Sequence, residues 1–157
     1  MATRKASCNC GQFTVTYEGP DPARISVCQC YECQKRTGSV LSVQTRLPVE
    51  HVTIEGESKT WTFPESGKPP ATFRSCDSGG ATYHFCPECG STVYCEFALA
   101  PGFLVVQVGS FTDPTFPPPI ISGFEAYGTP WAMNLSDLPM KGGRHDYDGT
   151  SHGGQRL

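Results

Sequence analysis

Residues 81–97 read ATYHFCPECGSTVYCEF. Two segments of alternating apolar and polar residues, 81–85 and 92–97, flank Cys86-Pro87-Glu88-Cys89-Gly90. Alternation with a period of two is the mark of a half-buried strand. Between the segments, Pro87 fixes a turn, and Gly90 tolerates the positive φ that lets backbone N–H groups point at the two sulfurs. The stretch therefore predicts a hairpin whose turn is a metal knuckle. The same short, punctuated alternation recurs at 12–17, 39–46, 52–54, 60–63, 71–74 and 104–108. The punctuation is turn chemistry: Gly19-Pro20-Asp21-Pro22, Ser66-Gly67-Lys68-Pro69-Pro70, Ser78-Gly79-Gly80 and Pro101-Gly102. One helical turn is expected at 31–37, between Cys30 and Gly38. The fold class is mainly β, with very little helix.

Composition agrees. Seventeen glycines and fourteen prolines make up about a fifth of the 157 residues, against roughly 12% in average usage, which excludes a long-helix architecture. Hydrophobic residues are 38% of the chain, a low share, so something besides apolar packing is expected to help hold the fold. In Phe116-Pro117-Pro118-Pro119 the three prolines cannot donate ladder hydrogen bonds, and the segment should cross the surface extended. From Lys141 the sequence KGGRHDYDGTSHGGQRL has almost nothing to bury. The expected organisation is one domain over 1–135 and a flexible Gly-rich polar tail over 136–157.

Nine cysteines are present. The first residues, MATRKASCNC, carry no apolar stretch of the kind that directs secretion or spans a membrane. That suggests a cytoplasmic protein whose close-spaced cysteines bind metal rather than form disulfides. Seven fall into three groups: Cys8/Cys10, Cys28/Cys30/Cys33 and Cys86/Cys89. A Cys-x-Cys pair on a strand would turn both thiols to one face. Structural zinc is closed by four ligands, whereas catalytic zinc keeps one position open. Cys8, Cys10, Cys86 and Cys89 can make the closed site. Cys28, Cys30 and Cys33 then make a three-thiolate site with room for a substrate thiol or water. A different pairing, or no metal, stays open for the first set. For the second, Cys76 or Cys95 would close the site and make it structural; otherwise both are small core residues. The net charge of −3 gives no electrostatic case for nucleic acid.

The order Ser7-Cys8-Asn9-Cys10-Gly11, Val27-Cys28-Gln29-Cys30-Tyr31-Glu32-Cys33 with Thr37-Gly38-Ser39, Phe85-Cys86-Pro87-Glu88-Cys89-Gly90-Ser91, Val108-Gly109-Ser110-Phe111-Thr112-Asp113-Pro114 and a late Pro130-Trp131 resembles the glutathione-dependent formaldehyde-activating enzyme family, which includes centromere protein V. The resemblance spans roughly residues 5–135. It implies a β-tent fold of coiled antiparallel sheets stapled by two zinc ions, the structural one on Cys8, Cys10, Cys86 and Cys89. The catalytic one falls on Cys28, Cys30 and Cys33. It further implies a carbon–sulfur lyase-like activity that adds glutathione, or a similar small thiol, to formaldehyde or another aldehyde, or runs the reverse. Beside these residues, Lys35, Arg36 and Arg74 read first as solvated turn residues, with capture of a substrate carboxylate as the alternative. His84, with the strand parity of Cys86, reads first as an ordinary half-buried strand histidine, with a proton shuttle or neighbour of the metal ligands as the alternative. Trp61, Tyr127 and Trp131 read as core or pocket wall, and His145 and His152 as tail residues. Two other readings stand beside the enzyme: a non-catalytic zinc-stabilised binding module, and a redox-responsive protein that releases zinc on oxidation.

Overall fold

The structure, a computed structural model, describes residues 2–62, 81–98 and 100–132. Ten strands are described: β1 (Ala2–Ser7), β2 (Thr14–Gly19), β3 (Ile25–Cys28), β4 (Ser42–Pro48), β5 (Val52–Glu55), β6 (Lys59–Thr62), β7 (Ala81–Phe85), β8 (Thr92–Phe97), β9 (Phe103–Gln107) and β10 (Ile121–Gly123). Among these residues the single α-helix is α1 (Tyr31–Thr37). Three strands form one sheet in the order β1-β2-β5, and seven form another in the order β10-β3-β4-β9-β8-β7-β6. Every pairing is antiparallel except β10 with β3, which is parallel.

The core lies between the sheets. Ala6, Phe13, Val15 and Tyr17 from the small sheet and its turn pack on Leu47, Val93, Tyr94, Leu104 and Val106 of the large one, with the Phe13 and Tyr94 rings 5.9 Å apart. The other face of the large sheet buries a second cluster: Ala81, Tyr83, Cys95 and Val105. Period-two alternation explains the split: neighbours Tyr94/Cys95 and Leu104/Val105 point to opposite faces, so the central strands are buried on both. Each fully buried valine or leucine among them contributes about 1.5–3 kcal/mol by leaving water.

The expected strands at 12–17, 39–46, 52–54, 60–63, 81–85, 92–97 and 104–108 are all present with ends shifted by up to three residues. The strand expected at 71–74, the turns at 66–70 and 78–80, and the tail at 136–157 lie outside the described residues. Three strands lack a sequence signal. β1 buries only Ala6, β3 has four residues, and β10 has three. Residues 117–119 belong to no strand and deliver the chain to β10, where the Ile120 N–H donates to Ile25 O at 2.9 Å. No helix among the described residues is long and apolar enough to cross a membrane.

Candidate metal centres

The four cysteines of the expected closed site meet. The Sγ atoms of Cys8, Cys10, Cys86 and Cys89 all lie within 4.8 Å of one another, with Cys8 to Cys10 at 3.5 Å and Cys10 to Cys86 at 3.6 Å. A tetrahedral zinc ion with Zn–S of about 2.3 Å would hold its sulfurs about 3.8 Å apart, so the donor set fits. The sequence's reason for the convergence of Cys8 and Cys10 needs correcting. They do not share a strand face; both follow β1, in the tight turn to β2. That turn matches the knuckle between β7 and β8. Gly11 N donates to Cys8 O at 3.0 Å and Gly90 N to Cys86 O at 2.9 Å, and both glycines have positive φ, 81° and 73°, which a residue with a Cβ rarely adopts.

Donors surround the sulfurs, as thiolates require. Phe13 N donates to Cys8 Sγ at 3.3 Å and Gln12 Nε2 to Cys86 Sγ at 2.9 Å, while Ser91 Oγ lies 3.4 Å from Cys89 Sγ. The Ser91 hydroxyl, followed by the Ser91 and Cys10 N–H groups, holds the Cys89 thiol down to about 5. Burial raises Cys86, but Gln12 and the Cys89 and Glu88 N–H groups outweigh it and hold this thiol below the ordinary range. Cys10 has help from the Gln12 N–H, yet the crowding of Cys8, burial, Cys86 and Cys89 push it up to about 12. Four sulfurs this close cannot all ionise alone, and a central cation is what reverses that repulsion.

The second cluster is built by one short segment. Cys28 ends β3, Cys30 is the N-cap of α1 with its Sγ accepting from Cys33 N at 3.4 Å, and Cys33 sits in the first turn. Here too, helix geometry after a strand end, and not strand parity, gathers the thiols. Their three Sγ atoms lie within 4.8 Å of one another. Cys28 and Cys30 are buried and Cys33 half-buried. The Cys30 thiol pushes Cys28 up, and Cys28 and Cys30 together push Cys33 far up, again the signature of sulfurs that need a cation. Gly38 stops the helix with its N–H on Gln34 O at 2.9 Å. Glu32 in the first turn and Lys35 and Arg36 in the last suit the helix dipole.

Among the described residues no fourth Cys, His, Asp or Glu joins this trio. Cys95 is buried in the separate Ala81–Tyr83–Val105 cluster. His84 is apart as well: its ring stacks on Tyr94 at 4.2 Å and its Nε2 lies 3.7 Å from Glu96 Oε2. Cys76, Arg74, His145 and His152 lie outside the described residues. Arg36 is held over the Tyr83 ring, 3.1 Å from its centroid, and lies 5.6 Å from the Trp61 ring, which itself stacks on Tyr83 at 5.9 Å. Trp131 is exposed, and Tyr127 meets Tyr31 edge-on at 5.0 Å. A cavity of about 520 Å³ opens beside α1, lined by Arg36, Thr37, Ser42, Ser91, Gln107 and Ser110 among others. Cys89 reaches this cavity, and Ser42, register partner of Cys28, lies in its wall.

Two glutamines matter here that the sequence reading passed over. Gln12 ties Cys86 to the small sheet, and Gln34 Nε2 bonds Gln29 O at 2.8 Å and Tyr127 O at 3.0 Å, tying the cysteine segment to the chain after β10. Cys86 and Tyr127 lie 74 and 93 residues from the glutamines that reach them, so no local signal marks these ties.

A family model described as glutathione-dependent formaldehyde-activating enzyme matches residues 3–127. Among solved structures, a crystal structure of a Rhodobacter sphaeroides protein is similar, with a TM-score of 0.53 and 18% identity, covering 75% of this chain and 98% of that one. A likeness at this identity carries the fold and nothing more. No curated protein matches the sequence.

Proposed function

The chain belongs to the glutathione-dependent formaldehyde-activating enzyme family, and from that premise we propose that it joins a small glutathione-like thiol to an aldehyde such as formaldehyde, or cleaves the adduct. A carbon–sulfur bond forms as the thiol loses its proton and the carbonyl carbon gives up its double bond to oxygen; the proton ends on that oxygen. The observation that carries the reading is the difference between the two clusters: four sulfurs in one, three in the other.

In this reading Cys8, Cys10, Cys86 and Cys89 hold a structural zinc, and Cys28, Cys30 and Cys33 a catalytic one. When bound, zinc on three thiolates supplies an open coordination position that lowers the pKa of a thiol placed there. Three thiolates donate strongly, which suits delivery of a sulfur nucleophile better than polarisation of a carbonyl. The Cys33 N–H bond to Cys30 Sγ orients one ligand as neighbouring hydrogen bonds do in metal sites generally. The cavity beside α1 takes the body of the thiol substrate. Arg36, held against the ring of Tyr83 with Trp61 nearby, meets a substrate carboxylate with a guanidinium already positioned.

The test pairs metal analysis of anaerobically purified protein with exchange NMR of thiol and aldehyde mixtures. The protein should carry two zinc ions and accelerate exchange, and Cys30→Ser should lose one ion and the exchange while keeping the other ion. Turnover that survives Cys30→Ser sinks the catalytic site. Two ions without turnover of any thiol would instead favour the non-catalytic binding module.

A further inference from the structure

Arg24 and Arg46 stand face to face. β3 and β4 are antiparallel with Ile25 opposite Thr45, and the ladder continues one step outward, the Arg46 N–H donating to Arg24 O at 3.2 Å. Like charges directly opposite across an antiparallel pair repel. Such a pair normally has a carboxylate nearby, yet among the described residues neither guanidinium has an acidic partner in an ion pair. Arg46 is half-buried, and burial, then the nearby Arg24, weakens its hold on its proton. Among the described residues no carboxylate offsets either effect.

Both arginines line a cavity of about 480 Å³. Its other walls are mostly apolar and stiff: Pro20, Pro48, Tyr17 and the ring of Phe103, which remains 42% exposed. The Tyr17 hydroxyl is occupied by Pro20 O at 2.8 Å. The one acid in the lining, Asp21, is engaged by Arg4, whose Nη2 lies 2.6 Å from Asp21 Oδ1. Two cations without an ion-pair partner among the described residues, set against rigid apolar walls, are complementary to an oxyanion on an apolar body, since guanidinium forks bind carboxylate and phosphate in pairs of charge-assisted bonds.

We propose that the Arg24/Arg46 cavity is a second binding site, which takes an anionic ligand with a carboxylate or phosphate head and an aryl or alkyl body. It lies at the opposite end of β3 from Cys28, about 13 Å along the strand, and does not depend on the thiol and aldehyde chemistry.

The experiment titrates the metal-loaded full chain with phenyl phosphate, benzoate and inorganic phosphate, followed by calorimetry and by amide NMR shifts. Phenyl phosphate or benzoate should bind one per chain, at least tenfold tighter than inorganic phosphate, moving the resonances of residues 20–24, 46–48 and 103. Whichever of the two binds tighter identifies the head group. Arg24→Gln and Arg46→Gln should each weaken that binding tenfold or more and leave thiol–aldehyde exchange unchanged. Because either substitution removes a like-charge opposition, the melting temperature in anion-free buffer should hold or rise, which separates a lost ligand contact from a damaged fold. No saturable binding of any probe, binding that survives both substitutions, or an equal affinity for bare phosphate would overturn the proposal.

Discussion

Gln12 shows how much one side chain can tie together. Its Nε2 donates to Cys86 Sγ at 2.9 Å and to Glu57 O at 2.8 Å, and its Oε1 accepts from Glu57 N at 3.1 Å. Gln12→Ala should therefore weaken the four-cysteine site tenfold to a hundredfold, the usual penalty for losing a partner of a metal ligand, and destabilise the fold by about 1–2 kcal/mol. Competition with a chromophoric chelator reads the first, urea unfolding the second; an unchanged chelator midpoint would mean that the Gln12–Cys86 bond is incidental. Asp113 supplies a pH-dependent counterpart. Bonds from the Thr115 hydroxyl and N–H, helped by Arg4, hold its carboxyl below the usual range. A carboxyl depressed on folding adds stability that is full above its unfolded value near 3.8 and fades as the pH falls through the folded value. Asp113→Asn should accordingly flatten the acid limb of the stability profile below about pH 4, measured by thermal melts from pH 2 to 6. A wild-type limb left intact in the variant would assign the acid sensitivity to other groups.

At the scale of elements, what was legible in the sequence was what local chemistry determines. The α1 boundaries follow from Cys30 as N-cap and Gly38 as C-cap, and the β7–β8 hairpin from its knuckle. The cysteine trio was legible because six residues contain it. β1 escaped because ATRKAS gains its place by pairing along β2 and by Arg4, which reaches Asp21 and Asp113 and lies over the Phe116 ring, not by an apolar face. β10 escaped because three residues beside β3 carry no period. Yet β10 and the turn after it secure the three-cysteine segment, with Gln29 N donating to Gly123 O at 3.1 Å and Gly128 packed against Gln29. At Gly128, whose φ of −70° suits any residue, a Cβ would lie 2.1 Å from the buried Gln29 Oε1. Gly128→Ala should thus push Gln29 aside, costing about 1–3 kcal/mol and loosening metal at Cys28, Cys30 and Cys33 while sparing the other cluster. Metal stoichiometry across a chelator series checks this, and simultaneous loss from both clusters would mean that the loop does not act locally.

On the scale of the molecule the clusters differ in what they connect. The four-cysteine set joins the turn of the small sheet to a hairpin of the large one, its Cys10 and Cys86 sulfurs separated by 76 residues of sequence, and it lies where both sheets pack on Phe13 and Tyr94. The three-cysteine set closes only the segment from Cys28 to Cys33. Loop-closure entropy grows with the logarithm of length, so an ion at the first set removes about 2 kcal/mol more disorder from the unfolded chain than one at the second. It also locks the relative placement of two sheets that share no strand, and binding of such an ion is folding free energy. Cys89→Ser should therefore lower the melting temperature by about 4–8 °C more than Cys33→Ser does, given about 2–4 °C per kcal/mol for a chain of this size. Calorimetric melts of the two variants side by side decide it. Equal shifts would mean that the apolar core alone holds the sheets together, and that the four-cysteine ion is an ornament on a fold already complete.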